Sequence, residues 1–374
     1  APFPEFDYAG PLQVGSQFVA TDGTGSTYQN QFWYYGARVH AQGRGFEGFY
    51  AQRIYDTRNG LYTFDYVERT FPYAGLHRFR YVSDGAALLW HWDRALGLQT
   101  LGTGYQQRYF PYIAIANDTR YEHGGSLHGT QVTHASTSYT YGDGYGNPTQ
   151  VVRSVTDTDP GSPFLGSTWT TTLASTFSND IGTHCLGLPT ATTTTESAPG
   201  QSAQTRTAQF TVDTSSCRIS QQVLEPASAP LKVTTTLGFD GCGNVNSVQV
   251  VGANPNGSAM PARTTSFGYG TRCQLPETLT NALDQPTTVA YDYDFGVPTQ
   301  STDPNALATT WTYDDFGRRT LETRPDGTRT AWAFESCTTG PCWGVNDLRF
   351  LTYESLLGTD GSAVMLREYF YDGF

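Results

Sequence analysis

A chain of 374 residues with 34 acidic side chains against 22 lysines and arginines carries a formal charge of −12. That balance argues against a nucleic-acid partner and against an electrostatic grip on anionic lipid, both of which call for a basic face. No apolar run approaches the roughly 18 residues that cross a bilayer as a helix. The length suits two or three modules or a repeat array. There are 40 glycines, 24 tyrosines and 21 phenylalanines, threonine recurs throughout, and Lys232 is the lone lysine. Aromatic and β-branched side chains fit pleated surfaces, and glycine fits the turns between them, so the expected fold is all-β.

The opening APFPEF has neither a basic n-region nor an apolar h-region, so no signal peptide is read there. Asp22-Gly23-Thr24-Gly25 is read as a β-turn, because the order is wrong for an aspartic-protease loop and Asp-Gly turns readily. Phe32, Tyr34 and Gly36 alternate as in a strand. Gly43, Gly45 and Gly48 mark bends or bulges in Gly43-Arg44-Gly45-Phe46-Glu47-Gly48-Phe49. Phe71-Pro72-Tyr73-Ala74-Gly75 is a further turn, and His91, between Trp90 and Trp92, reads as a packed strand residue. His123, His128 and His134, with Glu122 alongside, are the densest histidine cluster. Their spacings match no common metal motif, so no metal ligand is assigned. These features define a β-rich segment over 1–135.

From 136 onward a unit recurs. Phe239-Asp240-Gly241-Cys242-Gly243-Asn244 and Tyr313-Asp314-Asp315-Phe316-Gly317-Arg318 both read aromatic, Asp, two residues, Gly, then Asn or Arg. Tyr371-Asp372-Gly373-Phe374 is a copy cut short, so the ends read as cuts in a longer protein. Looser copies carry Asp143 and Gly146 after Tyr141, and Asp294 and Gly296 after Tyr293. The aromatic anchors Phe239, Tyr269, Tyr291, Tyr313, Phe334, Tyr353 and Tyr371 recur about every 20 residues. Each unit is expected to be a β-hairpin. Trp311 and Tyr313 share one strand face, Asp314 starts the turn by accepting backbone N–H groups, and Gly317 takes positive φ. Pro325-Asp326-Gly327 turns the chain again. A lone hairpin is marginal in water, so such units must stack edge to edge. The Thr/Ser/Pro/Gly-rich stretch 190–204 reads as an edge strand with a loop or as a short insertion. The repeats are weak over 136–235 and clear over 239–374.

Cys185, Cys217, Cys242, Cys273, Cys337 and Cys342 form an even set, as expected of disulfides in an oxidising compartment. Cys337 and Cys342 suggest a local pair across Gly340-Pro341; the other pairings stay open. The carboxylate pairs Asp157/Asp159, Asp292/Asp294 and Asp314/Asp315 are read as turn formers rather than as a glycosidase pair. No nucleophile elbow, P-loop or dinucleotide fingerprint occurs, so no catalytic, cofactor or metal residue is assigned.

The stretch YDYDFGVPTQSTDPNALATTWTYDDFGRRTLETRPDGTRTAWAF, 291–334, resembles the YD repeat of RHS proteins. That family includes bacterial RHS toxins, the B and C components of insecticidal toxin complexes, and teneurins. The order Tyr34-Tyr35-Gly36, Arg44-Gly45-Phe46-Glu47-Gly48-Phe49 and Phe71-Pro72-Tyr73-Ala74-Gly75 resembles the segment before the repeats in SpvB-like and toxin-complex B proteins. The resemblance implies stacked hairpins in a spiralling sheet that closes a hollow shell, and a scaffold rather than an enzyme. It implies as partners the remainder of a longer chain and an enclosed toxin or other cargo, and a secreted or bacterial cell-surface location. The alternatives are an extracellular adhesion or filament module, and a carbohydrate-binding or carbohydrate-active protein.

Overall fold

The computed structural model describes residues 3–21, 27–336 and 350–371. Cys337, Cys342, the Asp22–Gly25 turn and the Asp372–Phe374 end of the last repeat lie outside them. Within the described residues the chain is strand after strand, with short 3₁₀ turns at Gly104–Gln106 and Ala229–Leu231. The all-β reading of the composition therefore holds.

The contacts divide the chain into two units, one ending at Arg218 and the other beginning at Ile219. The first contains β1 (Glu5–Asp7), β2 (Gln17–Thr21), β3 (Thr27–His40), β4 (Gly45–Asp56), β5 (Leu61–Val67), β6 (His77–Ser83) and β7 (Leu88–Leu101). It continues with β8 (Arg108–Tyr121), β9 (Gln131–Tyr141), β10 (Pro148–Asp157), β11 (Thr168–Asp180), β12 (Cys185–Ser197) and β13 (Gln204–Asp213). From β2 through β13 each strand pairs antiparallel with the next, and β1 lies on the far part of β3. The ladder passes through residue 136 without a break, since β9 pairs with both β8 and β10.

The second unit begins with β14 (Arg218–Leu224), β15 (Val233–Phe239), β16 (Val245–Val251), β17 (Arg263–Tyr269), β18 (Pro276–Thr280) and β19 (Pro286–Asp292). It ends with β20 (Val297–Thr302), β21 (Ala308–Tyr313), β22 (Arg319–Thr323), β23 (Arg329–Ser336), β24 (Phe350–Leu357) and β25 (Ala363–Tyr371). It too is an antiparallel meander.

Burial is shallow in both units. Among the described residues the buried apolar side chains are Ala20, Ala51, Ala135, Cys185, Ala208 and Leu351. With so little interior, the sheet is held by pairs across neighbouring strands. Threonine hydroxyls meet this way at Thr156–Thr168 (2.9 Å), Thr176–Thr190 (2.8 Å) and Thr312–Thr320 (2.9 Å). Aromatic rings do the same at Tyr55–Tyr62, with centroids 4.5 Å apart, and at Tyr66–Phe79, 4.9 Å apart. The recurrent threonine and tyrosine of the sequence are thus the cross-strand partners themselves.

The three N-terminal motifs meet in space. Gly36 has φ +57°, and the ring of Tyr50 lies where its Cβ would be, at 2.5 Å. The carbonyl of Gly36 accepts a hydrogen bond from the Arg69 guanidinium, which also lies 5.3 Å from the centre of the Tyr50 ring. Gly48, at φ +80°, sits at a bulge where Arg38 opposes Gly48 and Val39 opposes Phe46. The extra residue, Glu47, is thereby aimed at the buried Arg38, whose guanidinium it meets at 2.8 Å while Glu5 holds another edge at 2.6 Å. Arg44 stacks 3.5 Å over the ring of Phe71, joining the Gly43–Phe49 motif to the Phe71-Pro72 turn.

Candidate functional site: the column of hairpin turns

The local sequence of each repeat closes a turn in the same way. The carbonyl of Asp314 accepts the N–H of Gly317 at 2.9 Å, and the Asp314 N–H donates to the Arg318 carbonyl at 2.9 Å. Its carboxylate accepts the N–H groups of Phe316 (3.0 Å) and Arg318 (2.9 Å). Gly317 takes φ +73°, and the register shifts between Thr312 and Tyr313, as in a turn followed by a one-residue bulge. Arg318 returns its guanidinium to the same carboxylate at 2.7 Å.

Asp240 and Gly243 repeat this geometry, with Asp240 accepting from Cys242 and Asn244 at 2.9 and 2.8 Å. Asp143 accepts from Tyr145 and Asn147 at 2.9 and 3.2 Å, with Gly146 at φ +88°. At the opposite end of the strands, Asp326 accepts from Thr328 at 2.9 Å, with Gly327 at φ +82°. One assignment needs correcting. In the β19–β20 turn the accepting carboxylate belongs to Asp292, which takes the N–H of Asp294 at 2.8 Å. Asp294 is a loop residue there, because this turn is one residue longer than that at Asp314, with Asp292 paired to Val297 around residues 293–296. Gly296 does take positive φ, +68°.

Several turns escape a search for Asp and Gly. Asp303 accepts from Asn305 and Leu307 at 2.8 Å each, yet its left-handed residue is Ala306, φ +62°. Asn281 plays the carboxylate's part, accepting from Leu283 and Gln285, and Asp284 is the left-handed residue. Aspartate and asparagine are the common signal, since either oxygen satisfies the turn's N–H groups. The pairs Asp157/Asp159 and Asp314/Asp315 belong to the same class: Asp157 accepts the N–H of Asp159 at 2.9 Å.

The turns also hold one another. Cys185 is bonded to Cys217, and Cys242 to Cys273. The first bond joins the first residue of β12 to the residue before β14, and the second joins the β15–β16 turn to the β17–β18 turn. Cys217 and Cys273 occupy the left-handed position, at φ +55° and +54°, where other copies carry glycine. Asn244 donates to the Cys273 carbonyl at 2.9 Å, and Asn179 donates to the Asp143 carboxylate at 3.2 Å. Tyr291 donates its hydroxyl to the Pro276 carbonyl at 3.1 Å, and Tyr313 donates to the Pro298 carbonyl at 2.6 Å. The anchor tyrosine of one hairpin thus ties down the return strand of the hairpin before it. Tyr313→Phe should remove that tie and nothing else, at a cost of about 1 kcal/mol. Urea unfolding checks this, and an unchanged midpoint would mean the hydroxyl contributes nothing.

The charges follow the hydrogen bonds. Hydrogen bonds from Ser215 and Ser216 lower Asp213 from 3.8 to about 2. At Asp240 and Asp314 desolvation acts upward, but hydrogen bonds from Asn244 and Arg318 respectively outweigh it and leave each carboxyl lowered. Hydrogen bonds from Thr328 lower Asp326, and those from Ser362 lower Asp360. A carboxyl lowered on folding adds stability above its unfolded value and loses it as pH falls through its folded one. Stability should therefore be flat above about pH 5 and should fall from about pH 4 downward, as unfolded-state carboxyls take up protons. Thermal melts at stepped pH check this. Asp213→Asn should flatten the lowest part of the slope, and an unaltered profile would contradict that assignment.

Two of the three histidines approach one carboxylate, and the third lies apart. His128 meets Asp84 at 3.0 Å and His123 lies 3.9 Å from the same carboxylate, whereas His134 hydrogen-bonds Thr119 at 3.0 Å. Backbone N–H groups of Ala87 and Ala86 lower the Asp84 carboxyl, with the two histidines adding to the effect. No group of three metal-ligating side chains occurs among the described residues.

No curated relative matches the chain. The RHS Repeat family model matches residues 291–329, from the end of β19 to the first residue of β23. Among solved structures, the TcdB2–TccC3 complex superposes with a TM-score of 0.54 at 10% identity, covering 91% of this chain and 22% of that one. The same complex without its hypervariable C-terminal region gives 0.54 at 9% identity, covering 89% and 22%. The Photorhabdus luminescens Tc holotoxin pore with a mutated TccC3 gives 0.52 at 10% identity, covering 92% and 21%. The chain thus spans about a fifth of the length of the solved chains it matches. Residues 291–329 are an RHS repeat, set in a chain that has the fold of the TcdB2–TccC3 structures.

Proposed function

We propose that this chain is a stretch of wall in an RHS-type shell that encloses a toxin or other cargo. The observation that carries the reading is the cross-tying of successive hairpin turns within each unit, over a sheet that buries few side chains of its own. Such a sheet serves as a partition: continued strands pair its edges, closure hides them, and the enclosed chain is kept from solvent and proteases. The segment 1–135 and the repeats from 136 to 374 are read as two stretches of one wall. The partners are the rest of the assembly and the enclosed chain. Two bonded cysteine pairs suit an oxidising, secreted or cell-surface setting.

The Asp, Asn and Gly residues of the turns, and the cysteines beside them, act as structural residues in this reading, and the carboxylates are occupied with backbone N–H groups rather than with substrate. Electron microscopy with size-exclusion chromatography tests it. Monomeric arcs or hollow particles are expected, and fibres growing with concentration would overturn it in favour of an open, self-assembling array.

A further inference from the structure

One face of the first unit carries a groove whose chemistry the wall does not need. Side chains alternate along a strand, so Trp90, Trp92 and Arg94 of β7 share a face. The registers place Arg94 opposite Ala116 of β8, Ala116 opposite Thr137 of β9, and Thr137 opposite Arg153 of β10. Two arginines therefore stand at the ends of one row, with an alanine and a threonine between them. At about 4.8 Å per strand their α-carbons lie about 14 Å apart. The small residues leave a trough between long side chains, with a volume of about 480 Å³. That is the size of a small-ligand site.

The electrostatics of the trough run against those of the chain. It is lined by Arg94, Arg120 and Arg153 against a single carboxylate, Asp118, in a protein of net charge −12. Asp118 is already engaged: it accepts the Trp90 indole N–H at 2.7 Å and lies 3.4 Å from Arg120. Arg94 stacks 4.3 Å over the ring of Trp92, which steadies its guanidinium. Neither Arg94 nor Arg153 has an ion-pair partner among the described residues. Two guanidiniums without ion-pair partners, rooted at the two ends of a small-residue floor, offer donors to one oxyanion, since each can donate two parallel hydrogen bonds.

We propose that this groove binds an acidic sugar residue, a uronate or a ring of similar charge, with its carboxylate between Arg94 and Arg153. Trp90 supplies apolar surface for the C–H side of a ring, and the Thr133 and Thr137 hydroxyls supply partners for its hydroxyls. A run of carboxylates, as in an acidic peptide, would set a second charge against Asp118. A single charged ring does not.

The test uses the full chain and its tryptophan fluorescence. Galacturonate should quench it saturably, while neutral galactose should not. Arg94→Gln and Arg153→Gln should each weaken binding about tenfold, the worth of one charge-assisted contact. Arg263→Gln, an exposed arginine of the second unit, should leave it unchanged. Arg153 is exposed, so its variant keeps the fold, and a melt of each variant shows that it does. The proposal is overturned by the absence of saturable binding, by equal binding of the neutral sugar, or by variants that bind like the parent. Tighter binding of poly-glutamate would assign the groove to an acidic peptide instead. Competition by inorganic sulfate at the same concentration would reduce it to a bare anion hole.

Discussion

Removing the Cys185–Cys217 bond, by the double substitution C185A/C217A, should lower the stability of the first unit by about 3–4 kcal/mol. The bond closes a loop across a sequence separation of 32 residues, and a loop of that length loses this much denatured-state freedom on cross-linking. One feature places the effect at the upper end. Cys185 is fully buried, in a sheet that buries few side chains of any kind, so its removal also costs packing. Urea unfolding followed by far-ultraviolet circular dichroism measures the change. A midpoint equal to that of the unreduced parent would show that the staple is dispensable. The parent in reductant should shift in the same direction as the variant.

Gly317→Val should destabilise the second unit by about 3 kcal/mol, from two independent causes. Backbone at φ +73° admits glycine freely and a β-branched residue only under strain. A Cβ there would also fall 2.9 Å from the Phe295 ring of the preceding turn, so the neighbouring hairpin must shift. Gly296→Val separates the two causes. It shares the left-handed backbone, φ +68°, but its Cβ would meet nothing within 4 Å. It should therefore cost only the backbone share, roughly half as much. Equal effects from the two variants would mean that the packing of Phe295 on Gly317 contributes nothing.

The RHS resemblance read over 291–334 is matched by the family model over 291–329. What made it legible is that a turn is a local object: five consecutive residues decide it, through one side-chain oxygen and one residue free to take positive φ. The same locality explains the misplacement at Asp292 and Asp294. Two aspartates two residues apart offer the same chemistry, and only the strand register, with Asp292 opposite Val297, selects between them. Where Ala306, Asp284 or Cys273 takes the left-handed place, the glycine signal is missing although the turn is the same. In those cases the flanking strands, already paired, impose a conformation that the residue alone disfavours.

By itself, then, the sequence determined the all-β class, the hairpin unit and the aspartate–glycine chemistry of its turns, because period-two alternation and turn preferences act within a few residues. Tertiary structure alone decided which turns touch. The bonding of Cys185 to Cys217 and of Cys242 to Cys273, the tie from Tyr313 to Pro298, the meeting of Arg44 with Phe71, and the row from Arg94 to Arg153 all join distant positions. Each depends on the register between strands, where a slip of one residue turns every side chain to the other face.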